Sequence, residues 1–295
     1  MKRREFLKDI AAGSFLLGLK PSLLAQEGSP PPLAQVDGDS PAAITREAIA
    51  SLGGMKTFVA RGDRVMIKPN IGWDRTPELA ACTNPEVVKT LVELCFDAGA
   101  KEVTVMDHTI NQAQRCYARS GIAEAAKAAG AKTPYVNPFR LKKMALGGQW
   151  LKEWEVYTDF VEADKLINVP IAKHHSLSRL TMGMKNWLGS IGGSRNQLHQ
   201  RIDEAMVDLA AFFKPELTVL DAYRILVRNG PQGGRLSDVK LQKTVVAGKD
   251  SVAVDSLGAT FFGISPQELP YLEMARKRGL GENNLEKIRV EKRTV

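Results

Sequence analysis

The sequence predicts an α/β protein whose largely parallel sheet is flanked by helices, in a single domain that carries one segment suited to a small lid. Apolar segments with strand-like patterning alternate with amphipathic, helix-like segments, which is typical of parallel sheets. The 295 residues are 44% hydrophobic and 25% charged. This length and composition support one large core and exclude a mainly disordered chain. No internal repeat or second linker divides the folded region.

The first half of the chain alternates helix and strand. The predicted elements are a helix over 41–52, a strand over 64–68, a helix over 85–98, a strand over 103–106, a small helix over 122–129 and a strand over 133–136. The third of these is the best marked. Asn84 can cap it, and Pro85 stands in the first turn, where proline is favoured.

The second half repeats the alternation. Its predicted elements are a strand over 165–170, a helix over 201–213, a strand over 217–220 that ends at Asp221, a strand over 242–247, and helices over 251–262 and 265–277. The small lid is expected over 141–160, where Trp150, Trp154 and Tyr157 cluster. Such a pattern of strands and helices of 10–14 residues favours a sheet with crossover helices.

Residues 1–25 resemble a twin-arginine (Tat) export signal peptide. Arg3-Arg4 is followed by Phe6-Leu7-Lys8, then by a short apolar stretch and a small residue at the expected cleavage position, Ala25. Gly and Ala residues lower the hydrophobicity of this apolar stretch, which is typical of the core of a signal peptide rather than of a membrane anchor. We expect the Tat translocase as a partner during export and a periplasmic location. Residues 26–40 read as a flexible linker, and 41–295 as the α/β domain.

Composition excludes several classes of protein. The formal charge is +8, but part of this excess lies in the signal, and no dense Lys/Arg block indicates nucleic-acid binding. No apolar run reaches the roughly 18 residues that a transmembrane span needs, so none is expected in the mature chain. Cys82, Cys95 and Cys116 lack the spacing of iron–sulfur ligands, so the cysteines do not support such a cluster.

Polar side chains follow several predicted strands at the point where each strand ends. Lys68 and Asn70 follow the first strand, and Asp107 follows the next. His174 and His175 follow the strand over 165–170, and Asp221 (noted above) ends another. Ligands of open parallel sheets bind beyond these carboxyl ends. We therefore expect Lys68 and Asn70 to bind a ligand, and His174 or His175 to transfer a proton, oriented by Asp107 or Asp221.

Two further segments could contact an anion. Lys185-Asn186 lies in an apolar, Gly-bounded stretch, and a half-buried lysine needs an anionic partner. That partner is a small anionic ligand or, alternatively, Asp107 or Asp221. The loop around Asn229-Gly230 is glycine-rich, so its backbone N–H groups could cradle an anion. Its alternative role is a tight surface turn.

The histidines also allow a metal site. His174 or His175 could bind a metal together with His199 and a carboxylate, Asp107 or Asp221. The HExxH arrangement and other metal-ligand spacings are absent from the sequence. The cofactor is thus unknown at this point, with a metal as one option.

A set of motifs that runs in order along the chain resembles the DUF362 family of uncharacterised proteins. The motifs are Arg61-Gly62-Asp63-Arg64-Val65, Ile67-Lys68-Pro69-Asn70, Thr83-Asn84-Pro85-Glu86, Asn168-Val169-Pro170, Lys173-His174-His175, Lys185-Asn186, Asn229-Gly230-Pro231 and Asp250-Ser251-Val252-Ala253-Val254-Asp255. The resemblance implies one α/β domain. In many relatives it also implies an attached iron–sulfur ferredoxin module, whose cysteine pattern this chain lacks.

The functional hypothesis is an enzyme that acts on a small anionic molecule, by redox or acid–base chemistry, in a cleft lined by Lys, His, Asn and Asp. The alternative is a non-catalytic protein that binds a metal or cofactor for maturation, linked to iron–sulfur or redox systems. A purely structural partner protein would need a large exposed apolar patch, and the sequence does not identify one.

Overall fold

The computed structural model describes residues 33–295, in which eleven strands and nine α-helices follow one another along the chain. The strands are β1 (Leu33–Asp37), β2 (Arg64–Pro69), β3 (Glu102–Val105), β4 (Leu141–Ala145), β5 (Glu153–Tyr157), β6 (Lys165–Val169), β7 (Ile171–His175), β8 (Arg179–Thr181), β9 (Leu217–Leu226), β10 (Val239–Gly248) and β11 (Val290–Thr294). The α-helices are α1 (Pro41–Ser51), α2 (Pro85–Asp97), α3 (Ala113–Arg119), α4 (Ile122–Ala128), α5 (Asp159–Glu162), α6 (Gly183–Asn186), α7 (Ile202–Phe213), α8 (Ser251–Thr260) and α9 (Pro270–Lys277).

The main sheet is mixed and mostly parallel. Its strand order is β11-β1-β10-β9-β6-β2-β3, and β7 pairs with both β9 and β8. The pairs β2–β3, β2–β6, β6–β9, β7–β9 and β1–β11 are parallel, whereas β1–β10, β9–β10 and β7–β8 are antiparallel. The carboxyl ends of β2 and β3 thus meet at one edge, next to the β7–β8 hairpin.

Helices pack on both faces of this sheet. Successive residues of a strand point to opposite faces, so apolar side chains are buried on both. In β2, Val65 and Ile67 join the core under α1–α4, while Met66 joins the core under α6–α9. A strand that is apolar on both faces is typical of a sheet between two helical layers. The predicted fold class, an α/β domain with a largely parallel sheet, is confirmed.

The best-marked predicted helix forms as expected. The Asn84 side chain accepts a hydrogen bond from the N–H of Glu86 at 3.0 Å, and α2 begins at Pro85. The last predicted helix, over 265–277, is instead divided. A short 3-10 turn precedes Pro270, whose ring and missing N–H break the helical ladder, and α9 begins there.

Two other segments differ from the sequence interpretation. Residues 33–37, which the sequence assigned to the flexible linker, form β1 instead. This strand lies between β10 and β11, and its Leu33, Ala34 and Val36 side chains are fully buried. The expected strand over 133–136 is replaced by a single bridge between Thr104 and Lys132. Both outcomes depend on strand partners that are distant in sequence.

Segment 141–160 forms a separate antiparallel hairpin, β4–β5, rather than part of the main sheet. The Asp208 carboxylate on α7 holds its tip, since it accepts hydrogen bonds from the N–H groups of Gln149, Trp150 and Leu151 at 2.9, 2.9 and 2.7 Å. Among residues 33–295, the side chains that line the cavity described below come from outside this hairpin.

The predicted signal peptide and residues 26–32 of the predicted linker lie outside the described residues. Within 33–295, the helices are too short or too polar to cross a membrane.

Candidate functional site

A cavity of about 270 Å³ opens at the carboxyl ends of β2 and β3, beside the β7–β8 hairpin. Its basic lining residues are Lys68, Lys173, Lys185, Arg195, His108, His175 and His199, and Asp107 is the acidic one. Amide, small and apolar side chains complete the wall: Asn70, Asn186, Asn196, Ser176, Thr181, Trp73, Ile110, Leu177, Leu188 and Pro231, with Gly72 and Gly189. Positive charge therefore dominates the cavity.

Lys68 forms a buried ion pair at the inner end of the cavity. Its Nζ lies 2.7 Å from Asp107 Oδ1 and donates hydrogen bonds to Asn186 Oδ1 and the Pro69 carbonyl, both at 2.9 Å. The two charged side chains are 1% and 3% exposed. Burial lowers the pKa of Lys68, and the Asp107 carboxylate opposes that shift. The ammonium has three partners, so all of its protons are used by the protein.

Gly189 allows the backbone to approach this ion pair. A Cβ at that position would lie 1.9 Å from Asp107 Oδ1 and 2.6 Å from Lys68 Nζ. Any larger residue would therefore displace one member of the pair.

Asn186 connects the polar residues at the inner end of the cavity through both the nitrogen and the oxygen of its side-chain amide. Its Nδ2 donates to Asn168 Oδ1 at 2.8 Å and to the Lys68 carbonyl at 3.1 Å. Its Oδ1 accepts from Lys68 Nζ and from Asn70 Nδ2, the latter at 3.2 Å. Asn186 thus orients the lysine and Asn70, rather than offering free groups to a ligand.

Lys173, on β7, is partly satisfied. Its Nζ donates to the Ala81 carbonyl at 2.5 Å and to Asn70 Oδ1 at 3.2 Å. An ammonium has three N–H bonds, so one remains for the cavity. Burial lowers the pKa of Lys173 to about 8.

Lys185, on α6, is buried without compensation. Its side chain is 9% exposed and lines the cavity, and within residues 33–295 its Nζ has no hydrogen-bond or ion-pair partner. The alternative partners considered from sequence are engaged elsewhere: Asp107 pairs with Lys68, and Asp221 binds backbone N–H groups. Burial, followed by repulsion from Lys173, Arg195 and Lys68, lowers the pKa of Lys185 to about 7.

Asp255 holds the helix that carries Lys185. Its buried carboxylate accepts hydrogen bonds from the N–H groups of Gly183 and Met184 at 2.7 and 2.9 Å. A Cβ at Gly183 would lie 2.7 Å from Asp255 Oδ1, so the glycine permits this contact. Burial raises the pKa of Asp255 to about 7. Asp255 belonged to a family motif but was not among the predicted site residues.

His175 lies in the cavity wall as a neutral imidazole. Its Nδ1 accepts hydrogen bonds from the N–H groups of Leu177 and Ser178 at 3.1 and 3.4 Å, which places the ring proton on Nε2. Its ring stacks on His199, with centroids 5.8 Å apart. Burial and nearby lysines lower the pKa of His175 to about 2. His175 can therefore donate one hydrogen bond but is a poor proton acceptor.

His174 and Asp221, two of the predicted catalytic residues, lie outside the cavity lining. His174 occupies the opposite side of β7 from His175, and its Nδ1 accepts from the Gly230 N–H at 3.1 Å. Asp221 lies inside β9, which continues to Leu226, rather than at a strand end. Its carboxylate accepts from the N–H groups of Asn84 at 2.7 Å and Tyr223 at 3.0 Å, and burial raises its pKa to about 6.

The Asn229-Gly230 loop supports the cavity indirectly. Asn229 Nδ2 donates to Asp238 Oδ2 at 2.9 Å, and the Gly230 N–H is used by His174. A Cβ at Gly230 would meet the His174 carbonyl at 1.9 Å, so only glycine fits there. The loop places Pro231 in the cavity wall but does not direct the Gly230 N–H towards a ligand.

The cavity does not provide the expected metal-ligand set. His199 lines it and His174 does not, and within residues 33–295 there is no group of three His, Cys, Asp or Glu side chains that could hold a metal ion. The Nδ1 of His175 accepts, whereas a metal-bound histidine usually donates from its second nitrogen. The surrounding lysines would also repel a cation. Cys82, Cys95 and Cys116 are free and buried.

Three basic residues of the cavity, Lys173, Arg195 and His108, were not among the predicted site residues. Lys173 stands two positions before His175, and alternation along a strand places both on one face, so its role could have been inferred. Arg195 comes from a distant loop and has no local pattern. Its guanidinium donates to the carbonyls of His108, Leu188 and Thr109 at 2.9, 3.0 and 2.6 Å, which ties three loops together.

Comparison with known proteins gives one family and several similar proteins. A family model described as a domain of unknown function, DUF362, matches residues 65–260. The thylakoid-associated protein sll1697 of Synechocystis sp. is 28% identical over 246 residues, which cover 81% of this chain and 75% of that protein.

Two solved structures are also similar to this chain. They are the lactate racemase apoprotein from Thermoanaerobacterium thermosaccharolyticum (TM-score 0.48, 12% identity) and a structural-genomics protein from Thermotoga maritima (TM-score 0.40, 11% identity). The similarity covers 77% and 80% of this chain but 56% and 59% of those chains, respectively.

Proposed function

The chain belongs to the DUF362 family, and we propose that its cavity binds a small anionic molecule and acts on it by acid–base chemistry. The charge balance of the lining supports this proposal. Lys68, Lys173, Lys185 and Arg195 contribute positive charge, and among residues 33–295 the single acidic lining residue, Asp107, is already paired with Lys68. A bound anion would neutralise charge that the protein itself leaves uncompensated.

The observation that carries the proposal is the unpartnered Lys185 ammonium. Removing a cation from water costs several kcal/mol unless an opposite charge or hydrogen-bond acceptors replace the lost hydration. Lys68 and Lys173 receive such acceptors from the protein. Within the described chain, Lys185 receives none. An anion with two or more oxygens would supply the missing acceptors.

The expected contacts are few and specific. Lys185 donates to the anion, together with the remaining N–H of Lys173 and the Nε2–H of His175. Trp73, Leu188 and the half-exposed Ile110 form an apolar part of the wall, which suits a carbon skeleton attached to the anionic group. A small carboxylate fits both halves of the lining, and a phosphate fits the basic half.

Lys185 is better suited than the histidines to transfer a proton. A group whose pKa lies near the working pH can both give and accept a proton, and that of Lys185 is lowered to about 7. The neutral His175 serves as a hydrogen-bond donor. This assignment moves the acid–base role from the predicted histidines to the lysine.

Calorimetric titration with acetate and with inorganic phosphate tests the proposed binding. We expect at least one of them to bind to the full chain, and the variant Lys185→Met to bind it at least about tenfold more weakly, equivalent to about 1.4 kcal/mol. Lys127→Met removes an exposed lysine outside the cavity and should leave binding unchanged. Equal affinity in the Lys185→Met variant and the wild type would overturn the proposal.

We also propose that the protein acts outside the cytoplasm, on the strength of the Tat-like pattern in residues 1–25. Subcellular fractionation of a Tat-competent bacterial host tests this proposal. The full chain should appear in the periplasmic fraction, and the double variant Arg3→Lys, Arg4→Lys should remain in the cytoplasm. Identical distributions of the two would contradict it.

A further inference from the structure

The cavity contains three lysines with three different sets of partners. Lys68 uses all three ammonium protons on the protein, and one of its partners is a carboxylate. Lys173 donates to two oxygen acceptors. Lys185 has no partner within residues 33–295, although it is nine-tenths buried. Deprotonation would cost Lys68 an ion pair and Lys173 two charge-assisted hydrogen bonds, but it would cost Lys185 no interaction with the protein.

We propose that Lys185 is a nucleophile that forms a Schiff base with the carbonyl group of a small 2-oxo acid. The inference rests on the proposed anion-binding function and specifies its substrate class. Lys185 is nine-tenths buried in the cavity wall, and within residues 33–295 its amine has no acceptor and lies close to other cationic groups. A lysine that is desolvated next to cationic groups is a recognised form of activated amine nucleophile.

Electrostatics keeps this amine reactive at neutral pH. Lys173, Arg195 and Lys68 each disfavour the charged form of Lys185, in addition to the effect of burial, and lower its pKa to about 7. A substantial fraction of the molecules therefore carries a neutral Nζ with a free lone pair. An ordinary exposed lysine, with a pKa near 10.4, would be almost wholly protonated and unreactive.

The remaining groups determine which carbonyl compound fits. The spare N–H of Lys173 and the Nε2–H of His175 are donors in the same wall, and they suit a carboxylate. A carbonyl carbon directly bonded to that carboxylate would then lie in the same cavity, whose wall also contains Lys185. Apolar Leu188 and Trp73 leave space for the rest of the carbon skeleton.

Schiff-base formation at Lys185 needs no oxidant, reductant or metal. Nζ loses a proton, its lone pair forms a bond to the carbonyl carbon, and the carbonyl π electrons move to oxygen, which is protonated. Nζ then gives up a second proton, the hydroxyl of this carbinolamine takes one up, the nitrogen lone pair forms the C=N bond, and oxygen leaves as water. Overall, the lysine ammonium and the ketone give a protonated imine and one water molecule. The positive charge stays on Nζ, where it can withdraw electrons from the bound carbon skeleton.

Reductive trapping tests the inference directly. The full chain is incubated with pyruvate and sodium cyanoborohydride, digested with a protease and mapped by mass spectrometry. We expect the reduced pyruvate adduct on the peptide that contains Lys185. Acetone, which lacks the carboxylate, should label this peptide at least about tenfold less, because the lysine and histidine donors have no anion to bind. Acetate should compete with pyruvate.

Variants and a second measurement make the outcomes distinct. Lys185→Met and Lys185→Arg should abolish the adduct, with circular dichroism to show that both remain folded, and Lys127→Met should retain it. If acetate or phosphate binds but pyruvate gives no adduct on Lys185, or labels exposed lysines equally, the Schiff-base inference is overturned and the anion-binding function stands. If these anions do not bind and no adduct forms, both proposals fail.

Discussion

Lys68 and Lys185 line the same cavity and are both buried, yet they have opposite surroundings. Lys68 meets a carboxylate and two further oxygen acceptors, whereas Lys185, within the described residues, meets other cations and apolar groups. A buried charge that is fully paired contributes to the structure. A buried charge left unpaired reduces the stability of the free protein, and such a cost is typical of a functional site.

The supports of the two lysines differ as well. Lys68 lies at the end of β2 and receives partners from the segment after β3 and from α6. Lys185 is positioned indirectly, because Asp255 on α8 holds the first backbone N–H groups of α6. The protein therefore fixes where the Lys185 side chain begins and leaves its ammonium available to a ligand.

The largest change in stability should come from removing the carboxylate that pairs with Lys68. Asp107→Asn leaves the Lys68 ammonium buried without its carboxylate, and we expect the free energy of unfolding to fall by about 3–5 kcal/mol. Urea denaturation followed by circular dichroism measures the change. A loss below about 1 kcal/mol would show that Lys68 is not held as a buried ion pair.

A smaller loss should follow when the support of Lys185 is removed. Asp255→Ala deprives two buried N–H groups of their acceptor, which should reduce the free energy of unfolding by about 1–3 kcal/mol. Anion affinity should fall too, because α6 no longer holds Lys185 in place. Asp255→Asn retains one oxygen acceptor and should recover part of both losses. A variant that loses stability but binds phosphate or acetate normally would contradict the positioning role.

Removal of the unpaired charge should act in the opposite direction. Lys185→Met keeps most of the side-chain volume and removes the repulsion from neighbouring cations, so we expect the free energy of unfolding to rise by about 0.5–2 kcal/mol at pH 6. The matched surface variant, Lys127→Met, should stay within about 0.5 kcal/mol of the wild type. Urea denaturation of the three proteins checks this prediction, and a destabilised Lys185→Met variant would indicate a partner for Lys185.

The smallest expected effect is the pH dependence of the difference in unfolding free energy between Lys185→Met and the wild type. Since folding lowers the pKa of Lys185 to about 7 from an ordinary value near 10.5, the unfolded chain binds more protons between these values. The charged form of Lys185 therefore lowers the free energy of unfolding by its full amount below about pH 7. This loss disappears as the pH rises towards 10.5. The advantage of Lys185→Met should shrink over this interval. Asp255 titrates in both proteins, so its contribution largely cancels in the difference.

Sequence reasoning located much of the site because strand ends can be recognised locally. The apolar run before Lys68 and the one before Asp107 mark two parallel strands, and parallel strands bring their carboxyl ends together. Lys185 was singled out as a lysine in an apolar segment, and the structure buries it. The same reasoning misplaced Asp221, because the residues after it continue β9. It could not decide between His174 and His175, since the start of β7 was read as a loop.

By itself, the sequence determined the alternation of strands and helices, the cap of α2 and the basic character of the cleft, because these follow from periodicity and residue type over a few neighbouring positions. The tertiary structure alone decided which buried lysine is paired. Lys68 finds Asn186 across 118 positions of the chain and Lys173 finds Asn70 across 103, whereas Lys185 finds no partner among residues 33–295. The protonation and reactivity of a lysine depend on such distant neighbours and on the exclusion of water, and neither is written in the local sequence.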